Sequence, residues 1–179
     1  MNVDDTAMQT IGPDWPELQE VMSPCIQKFA QLVLKLKLKL SENSMLSYSD
    51  TLIYFAGSRM AEKGILTMEE EIQLIVKIND YWAEKGKKMI YVGKRVTRGT
   101  PSENKMKRIE EKSIPVVFFD LPLELALIEA KSKMIPTTIC SFGSTLNTTL
   151  PMLHPNIDAY LVEIKDVKDT RIEVKKSLL

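Results

Sequence analysis

From about residue 51 onward, the chain alternates between short, unbroken apolar runs and segments in which apolar residues recur at helical spacing. The apolar runs are residues 52–56, 89–92, 116–119 and 139–140, and residues 157–162, which contain Asp158, are a fifth candidate strand. Strands that are buried on both faces are typically unbroken apolar runs, and helices connect each such strand to its parallel neighbour. The pattern therefore predicts an α/β fold, a Rossmann-like open and mostly parallel sheet with helices on both faces.

Two sequence patterns predict where helices begin. Thr67 is followed three residues later by Glu70, and Thr100 is followed three residues later by Glu103, with Pro101 at the first helical position. In such a capping box, each of the two side chains accepts a hydrogen bond from the backbone N–H of the other residue. We therefore predict one helix that begins after Thr67 and another that begins after Thr100.

Residues 1–50 lack this alternation, and we assign them to an amino-terminal extension that precedes a Rossmann-like domain in residues 51–179. Residues 16–34 have apolar side chains at helical spacing. The run LKLKLKL at 34–40 alternates strictly, which is typical of an edge strand with one solvated face. The alternative is a basic amphipathic segment that contacts a membrane surface or a partner.

The composition argues against several classes of protein. Lys plus Arg and Asp plus Glu each number 24, so the formal net charge is zero, whereas a general nucleic-acid binder needs a basic surplus. No apolar run approaches the roughly 20 residues that span a bilayer. The spacing of Cys25 and Cys140 fits neither a metal site nor a disulfide framework, which favours a reducing compartment. The acidic start has no secretory pattern, so we expect a cytoplasmic protein.

Polar, basic and hydroxyl residues follow the predicted strands at their carboxyl ends. They are Gly57-Ser58-Arg59, Gly93-Lys94-Arg95, Asp120 with Glu124, and Ser141 to Thr145. Ligands of open α/β sheets bind at this edge, so the pattern favours an anionic ligand such as a nucleotide. Ser144 and Thr145 also precede a predicted helix, whose first N–H groups can hold a phosphate. The alternative is that these residues form ordinary loops and helix caps.

The order of four segments resembles the bacterial sialyltransferases and polysialyltransferases of the glycosyltransferase 52 type. The segments are FAGS (55–58) with EKGILTMEEE (62–71), KMIYVGKR (88–95), FDLPLE (119–124) and CSFGSTL (140–146). The likeness covers roughly residues 51–165. It implies the carboxyl-terminal, nucleotide-binding half of a two-domain GT-B enzyme. The donor substrate would be CMP-sialic acid, the acceptor a glycan, and no metal or other cofactor would be needed.

The resemblance also implies roles for individual residues of the nucleotide site. Glu124 stands at the carboxylate of the family's Pro-x-Glu segment and would contact the ribose hydroxyls. Ser144 and Thr145 stand at its Ser-Ser/Thr motif and would hold the phosphate, with Ser141 at the same strand end. For Glu124, the alternative is an acidic residue in the first turn of a helix that complements the helix dipole.

The catalytic candidates are less well matched to the family. Its histidine, which assists departure of the CMP phosphate, belongs just after Val92, where this chain has Lys94 and Arg95. These cations can neutralise phosphate charge, but their pKa values are too high for a general acid near neutral pH. Glu62 is the acidic candidate for a catalytic base, with a solvated turn residue as the alternative. The only histidine, His154, follows the Ser-Thr motif and is interpreted as a loop residue.

The length of the chain leaves its activity open. A GT-B enzyme also needs an amino-terminal Rossmann-like domain of about 100 residues or more, which residues 1–50 cannot supply. We therefore interpret the chain as a partial or reduced glycosyltransferase, whose cleft a partner chain or an oligomer could complete. A non-catalytic α/β module for nucleotide binding or protein interaction is the alternative. Peripheral attachment to the inner membrane face is compatible with both interpretations.

Overall fold

The computed structural model describes residues 47–93, 100–119, 122–129 and 134–177, all of which belong to one compact unit, Met45–Leu179. Several sequence predictions fall outside these residues. They are the amino-terminal helix at 16–34, the LKLKLKL segment, and the site candidates Lys94, Arg95 and Asp120.

Strands and helices alternate through most of this unit. In chain order they are β1 (Tyr48–Ala56), α1 (Met68–Ala83), β2 (Lys88–Gly93), α2 (Pro101–Glu111), β3 (Val116–Phe118), α3 (Leu123–Glu129), β4 (Ile135–Ser141), α4 (Leu146–Leu153), β5 (Asp158–Asp166) and β6 (Arg171–Lys176). The strands form one six-stranded sheet in the order β3-β2-β1-β4-β5-β6. All neighbouring pairs are parallel except β5 and β6. The predicted α/β fold with a mostly parallel sheet is therefore confirmed.

The unbroken apolar sequence of β1 is explained by a core on each face of the sheet. Because successive side chains of a strand point to opposite faces, Ile53 and Phe55 join one hydrophobic cluster, and Tyr54 and Ala56 join the other. The first cluster contains apolar side chains of α1 and α2, and the second contains those of α3 and α4. Helices thus cover both faces of the sheet.

The sixth strand was not predicted, and the first strand is longer than predicted. β6 has the sequence RIEVKK, in which only Ile172 and Val174 pack against the first core cluster. Charged residues alternate with this short apolar pair, as is common in strands that protect the edge of a sheet. β1 begins at Tyr48, before the predicted domain boundary at residue 51.

One of the two predicted capping boxes forms. The Glu70 N–H donates to Thr67 Oγ1 at 3.2 Å, and the Thr67 N–H donates to Glu70 Oε2 at 2.7 Å. The box predicted at Thr100 is wrong, since the Thr100 hydroxyl makes no capping bond. The Glu103 N–H donates to the Thr100 carbonyl oxygen at 3.0 Å instead, while Pro101 begins α2 as predicted.

Among the described residues, no helix is both long enough and apolar enough to cross a bilayer.

Candidate functional site

The centre of the sheet is a topological switch point. β1 and β4 are neighbours, but the chain leaves β1 through α1 towards β2 and leaves β4 through α4 towards β5. The two connections therefore run to opposite sides and leave a crevice at the carboxyl ends of the strands. Open α/β sheets bind their ligands in such a crevice.

A cleft with a volume of about 560 Å³ lies at this position. Its first side is formed by Ala56 and by residues of the 57–66 segment, which we call the β1 rim. Its second side is formed by residues of the 141–145 segment, which we call the β4 rim. The cleft therefore brings together two of the four strand ends from which the sequence predicted an anion site.

Gly57 allows the β1 rim to leave the sheet close to the neighbouring strand. The Gly57 N–H donates to the Val92 carbonyl oxygen at 2.9 Å. A Cβ at this position would lie 2.7 Å from that oxygen and 2.8 Å from the Tyr91 hydroxyl. Both distances are too short for a real contact, so only glycine fits here without a shift of the backbone.

Beneath the β1 rim lies a buried ion network centred on Lys105 of α2, whose side chain is fully buried. Its Nζ donates to the Ser58 carbonyl oxygen at 2.8 Å, to Glu62 Oε2 at 2.8 Å and to Glu71 Oε1 at 3.0 Å. A lysine has three N–H donors, and all three are used here. Buried charges are tolerated when they are paired and hydrogen-bonded in this way.

Glu71 of α1 completes the network and is also fully buried. In addition to Lys105, its carboxylate accepts from the Ser58 hydroxyl, and it accepts from the Ala61 N–H at 2.8 Å. The network therefore connects α1, α2 and three residues of the β1 rim, Ser58, Ala61 and Glu62.

Glu62, the candidate catalytic base, is one of the paired residues. Its carboxylate accepts from Lys105 and, at 2.8 Å, from the Ser102 hydroxyl, and its side chain is 15% exposed. Burial raises the pKa of Glu62, but the bonds from Lys105 and Ser102 outweigh burial and hold the pKa below its ordinary value. Glu62 is thus an ion-paired carboxylate, and its catalytic role stays a prediction.

The β4 rim is held by hydroxyl and amide groups. Ser141 is buried, and its hydroxyl donates to Asn147 Oδ1 at 2.9 Å and accepts from the Gly143 N–H at 3.1 Å. Asn147 Nδ2 in turn donates to the Tyr160 carbonyl oxygen at 3.2 Å. Gly143 adopts a φ of +105°, a conformation that favours glycine. Ser141 therefore stabilises the turn, and its role as a ligand residue stays a prediction.

Ser144 and Thr145 precede α4, as predicted from the sequence. The Ser144 hydroxyl accepts from the Leu146 N–H at 3.3 Å, and Ser144 lines the cleft. Thr145 is the residue before the first turn, but its exposed hydroxyl makes no capping bond. Both hydroxyl groups thus lie at the positive end of a helix, where anions are readily held.

Glu124, the third predicted ligand residue, is connected to the same helix start. Thr149 Oγ1 lies 2.9 Å from Glu124 Oε1 and 3.1 Å from the Thr145 carbonyl oxygen. One hydroxyl therefore connects the Pro-x-Glu segment with the Ser-Thr motif. The structure brings these two sequence motifs together, although Glu124 does not line the cleft described above.

His154 lies in the irregular segment directly after α4, in agreement with its interpretation as a loop residue. Its side chain is fully buried, and burial lowers the pKa of its imidazole. The side chains of Leu150 and Leu153 in the last turn of α4 are buried as well. Its position after the last residue of α4 also separates it from the β4 rim, which precedes the first residue of that helix.

Lys105 and Glu71 were not predicted from the sequence as residues of the site. A signal for both was present in the helical spacing. Glu71 is followed by Ile75 and Ile78 at i+4 and i+7, and Lys105 is followed by Ile109 at i+4. Residues at these spacings share one helix face, so the two charges lie on apolar stripes that face the core.

Comparisons with known proteins give no family for this chain, since no family model, curated protein or solved structure matches it.

Proposed function

We propose that this unit binds the nucleotide of a CMP-activated sialic acid, as the donor-binding half of a sialyltransferase-like glycosyltransferase. The observation that carries the proposal is the contact of Thr149 with both Glu124 and Thr145. A ribose and its 5′-phosphate are directly bonded, so a carboxylate for the ribose and hydroxyls for the phosphate must lie within one nucleotide of each other. The short connection through Thr149 satisfies that requirement.

The chemistry of the groups suits the two parts of the ligand. An ionised carboxylate accepts hydrogen bonds from two ribose hydroxyls, and serine and threonine hydroxyls donate to phosphate oxygens. The Thr145 hydroxyl makes no capping hydrogen bond, so a bond to phosphate would not break one. The β1 rim adds the positively charged side chains of Arg59 and Lys63 to the cleft lining, which favours an anionic ligand.

Calorimetric titration of the full chain with CMP, with UMP as the control nucleotide, tests the proposal. We expect selective binding of CMP. Changing Ser144 and Thr145 together to alanine should weaken CMP binding about fivefold or more, which corresponds to about 1 kcal/mol for lost charged hydrogen bonds. Thr148→Ala, an exposed hydroxyl further along α4, is the matched control and should leave the affinity unchanged.

The ribose role of Glu124 has a separate test with 2′-deoxy-CMP. The wild-type chain should prefer CMP over 2′-deoxy-CMP, and Glu124→Gln should lose most of that preference. Equal affinity of the wild-type chain for CMP and UMP, or no binding of either, would overturn the nucleotide assignment. A preference for CMP that survives Glu124→Gln would remove the ribose role alone.

A second candidate function is a non-catalytic nucleotide-binding module. The hydrogen bonds of Glu62 favour it, since one carboxylate oxygen accepts from Ser102 and the other accepts from Lys105. A general base needs an accessible oxygen that can take a proton. Turnover of a CMP-sugar by the full chain on its own would exclude this candidate, and binding without turnover would favour it.

A further inference from the structure

We infer that Lys105 is a positioning residue, whose buried ammonium group sets the conformation of the β1 rim and so the shape of the cleft. This inference rests on the proposed function in one respect, which is that the proposed function assigns a ligand to the cleft. Lys105 itself does not line the cleft. It acts through Ser58 and Glu62, which belong to the rim.

The geometry of the network supports a role beyond packing. Two of the three Lys105 bonds go to the β1 rim, one to the Ser58 backbone and one to the Glu62 side chain. The third goes to Glu71, which itself binds the rim at Ser58 and Ala61. Lys105 and Glu71 together make these five hydrogen bonds, and four of the five end on the β1 rim.

The β1 rim needs such an anchor because it is a segment of turns rather than a strand or a helix. After Gly57, whose N–H is bonded to Val92, the backbone bonds of the rim are local, for example the Lys63 N–H to the Arg59 carbonyl oxygen at 3.0 Å and the Ile65 N–H to the Met60 carbonyl oxygen at 2.9 Å. Local bonds hold a turn together but do not fix it against the body of the protein. Lys105 and Glu71 supply that attachment from two helices.

A buried ion pair is a weak source of stability, since apolar side chains of similar size often stabilise a fold as well. A variant without the ion pair can therefore distinguish an effect on the conformation of the β1 rim from an effect on the stability of the fold. Replacing the pair by Lys105→Met with Glu71→Leu removes both charges and leaves an apolar contact between α1 and α2. Glu62 retains the Ser102 bond and access to solvent in this variant. We expect the chain to fold while its β1 rim is released.

Hydrogen exchange of the full chain measures this release without any ligand. In the double variant, we expect the amides of Ala61, Lys63 and Ile65 to exchange at least about tenfold faster than in the wild-type chain, as befits local opening. Amides in the centre of β1 and β4 should keep their protection. Lys107→Met is the matched control, because Lys107 lies on the same helix but is exposed, and it should change nothing.

The ligand measurement comes second. If the wild-type chain binds CMP, the double variant should bind it at least about fivefold more weakly, and Lys107→Met should bind it normally. No CMP binding by the wild-type chain refutes the proposed function and leaves the exchange result as the test of Lys105. Unchanged protection of the β1 rim in a folded double variant overturns the positioning role.

A second variant covers the case in which the double variant does not fold. Glu62→Gln alters only the partly exposed end of the network and keeps the Lys105–Glu71 pair. We expect about threefold faster exchange at Lys63 and Gly64, whose amides lie next to Glu62, with the sheet unchanged. Protection equal to that of the wild-type chain at these two amides would overturn the inference.

Discussion

The two rims of the cleft are held in place by different kinds of interaction. The β1 rim is attached to α1 and α2 through charged groups, the Lys105 ammonium and the Glu71 and Glu62 carboxylates. The β4 rim is held by uncharged groups, with Ser141 and Asn147 bonded to each other and to the nearby backbone. The first rim therefore depends on distant helices, and the second depends largely on its own turn.

This difference follows from the lengths of the two segments. The β4 rim passes within a few residues from β4 into α4, so short hydroxyl and amide side chains can satisfy its backbone groups. The β1 rim makes a longer path to α1, and its interior is reached by the long side chains of lysine and glutamate. The charged groups of the network therefore shape the cleft, and under the proposed function the hydroxyls of Ser144 and Thr145 would contact the ligand.

The largest effect is expected from breaking the charged rim. Glu71→Leu removes the acceptor of three donors and leaves Lys105 with an incomplete buried pair. We expect the free energy of unfolding to fall by about 3–5 kcal/mol, the usual cost of removing one partner of a buried pair. Urea unfolding of the full chain measures it, with exposed Gln73→Leu on the same helix as the control. A loss below about 1 kcal/mol would contradict the importance of the network.

A smaller effect is expected from the same kind of change in the uncharged rim. Asn147→Leu leaves the Ser141 hydroxyl and the Tyr160 carbonyl oxygen without their partner. Unpaired neutral groups cost less than an unpaired charge, so we expect a loss of about 1–3 kcal/mol in the same urea experiment. The exposed neighbour Thr148 provides the control Thr148→Leu. A loss as large as that of Glu71→Leu would remove the distinction between the rims.

The smallest effect is a difference in pH dependence. Burial lowers the pKa of His154, so the unfolded chain binds more protons than the folded chain as the pH falls below about 6.5, the ordinary pKa of histidine. His154 therefore costs no stability above that pH, and the free energy of unfolding falls as the pH drops towards the lowered pKa. Glu62, whose pKa is held below its ordinary value, should reduce the free energy of unfolding only in more acidic solution.

The measurement is the free energy of unfolding at several pH values between about 5.5 and 7.5, where histidine titrates and carboxylates do not. The wild-type chain should be less stable at the acidic end of this range. His154→Leu should remove most of that slope, because the chain has no other histidine. A slope that persists in His154→Leu would show that a different group is responsible.

Local patterns predicted the fold well where the physical cause was itself local. The apolar runs predicted β1 to β5 because burial on both faces requires them, and the Thr67–Glu70 box formed because its bonds join residues three apart. The box at Thr100 did not form, since a backbone bond occupies the Glu103 N–H. β6 was missed because its short apolar pair is typical of many exposed segments.

The candidate site was predicted in part. The order of strands and helices predicted that Glu124, Ser144 and Thr145 lie at one edge of the sheet, which the strand directions bear out. The sequence did not predict that Thr149 connects them, nor that Lys105 reaches the β1 rim from α2. Both contacts depend on how far one helix lies from another, and helical periodicity carries no information on that distance.

The sequence by itself determined the alternation of strands and helices, the first capping box and the polar residues at the strand ends. It did so because hydrophobic periodicity and capping act between residues that are near one another in the chain. The tertiary structure alone decided the sheet order, the pairing of Lys105 with Glu62 and Glu71, and the position of the cleft. A buried charge is stable only where its partners converge, and that convergence of α1, α2 and the β1 rim exists only once the chain has folded.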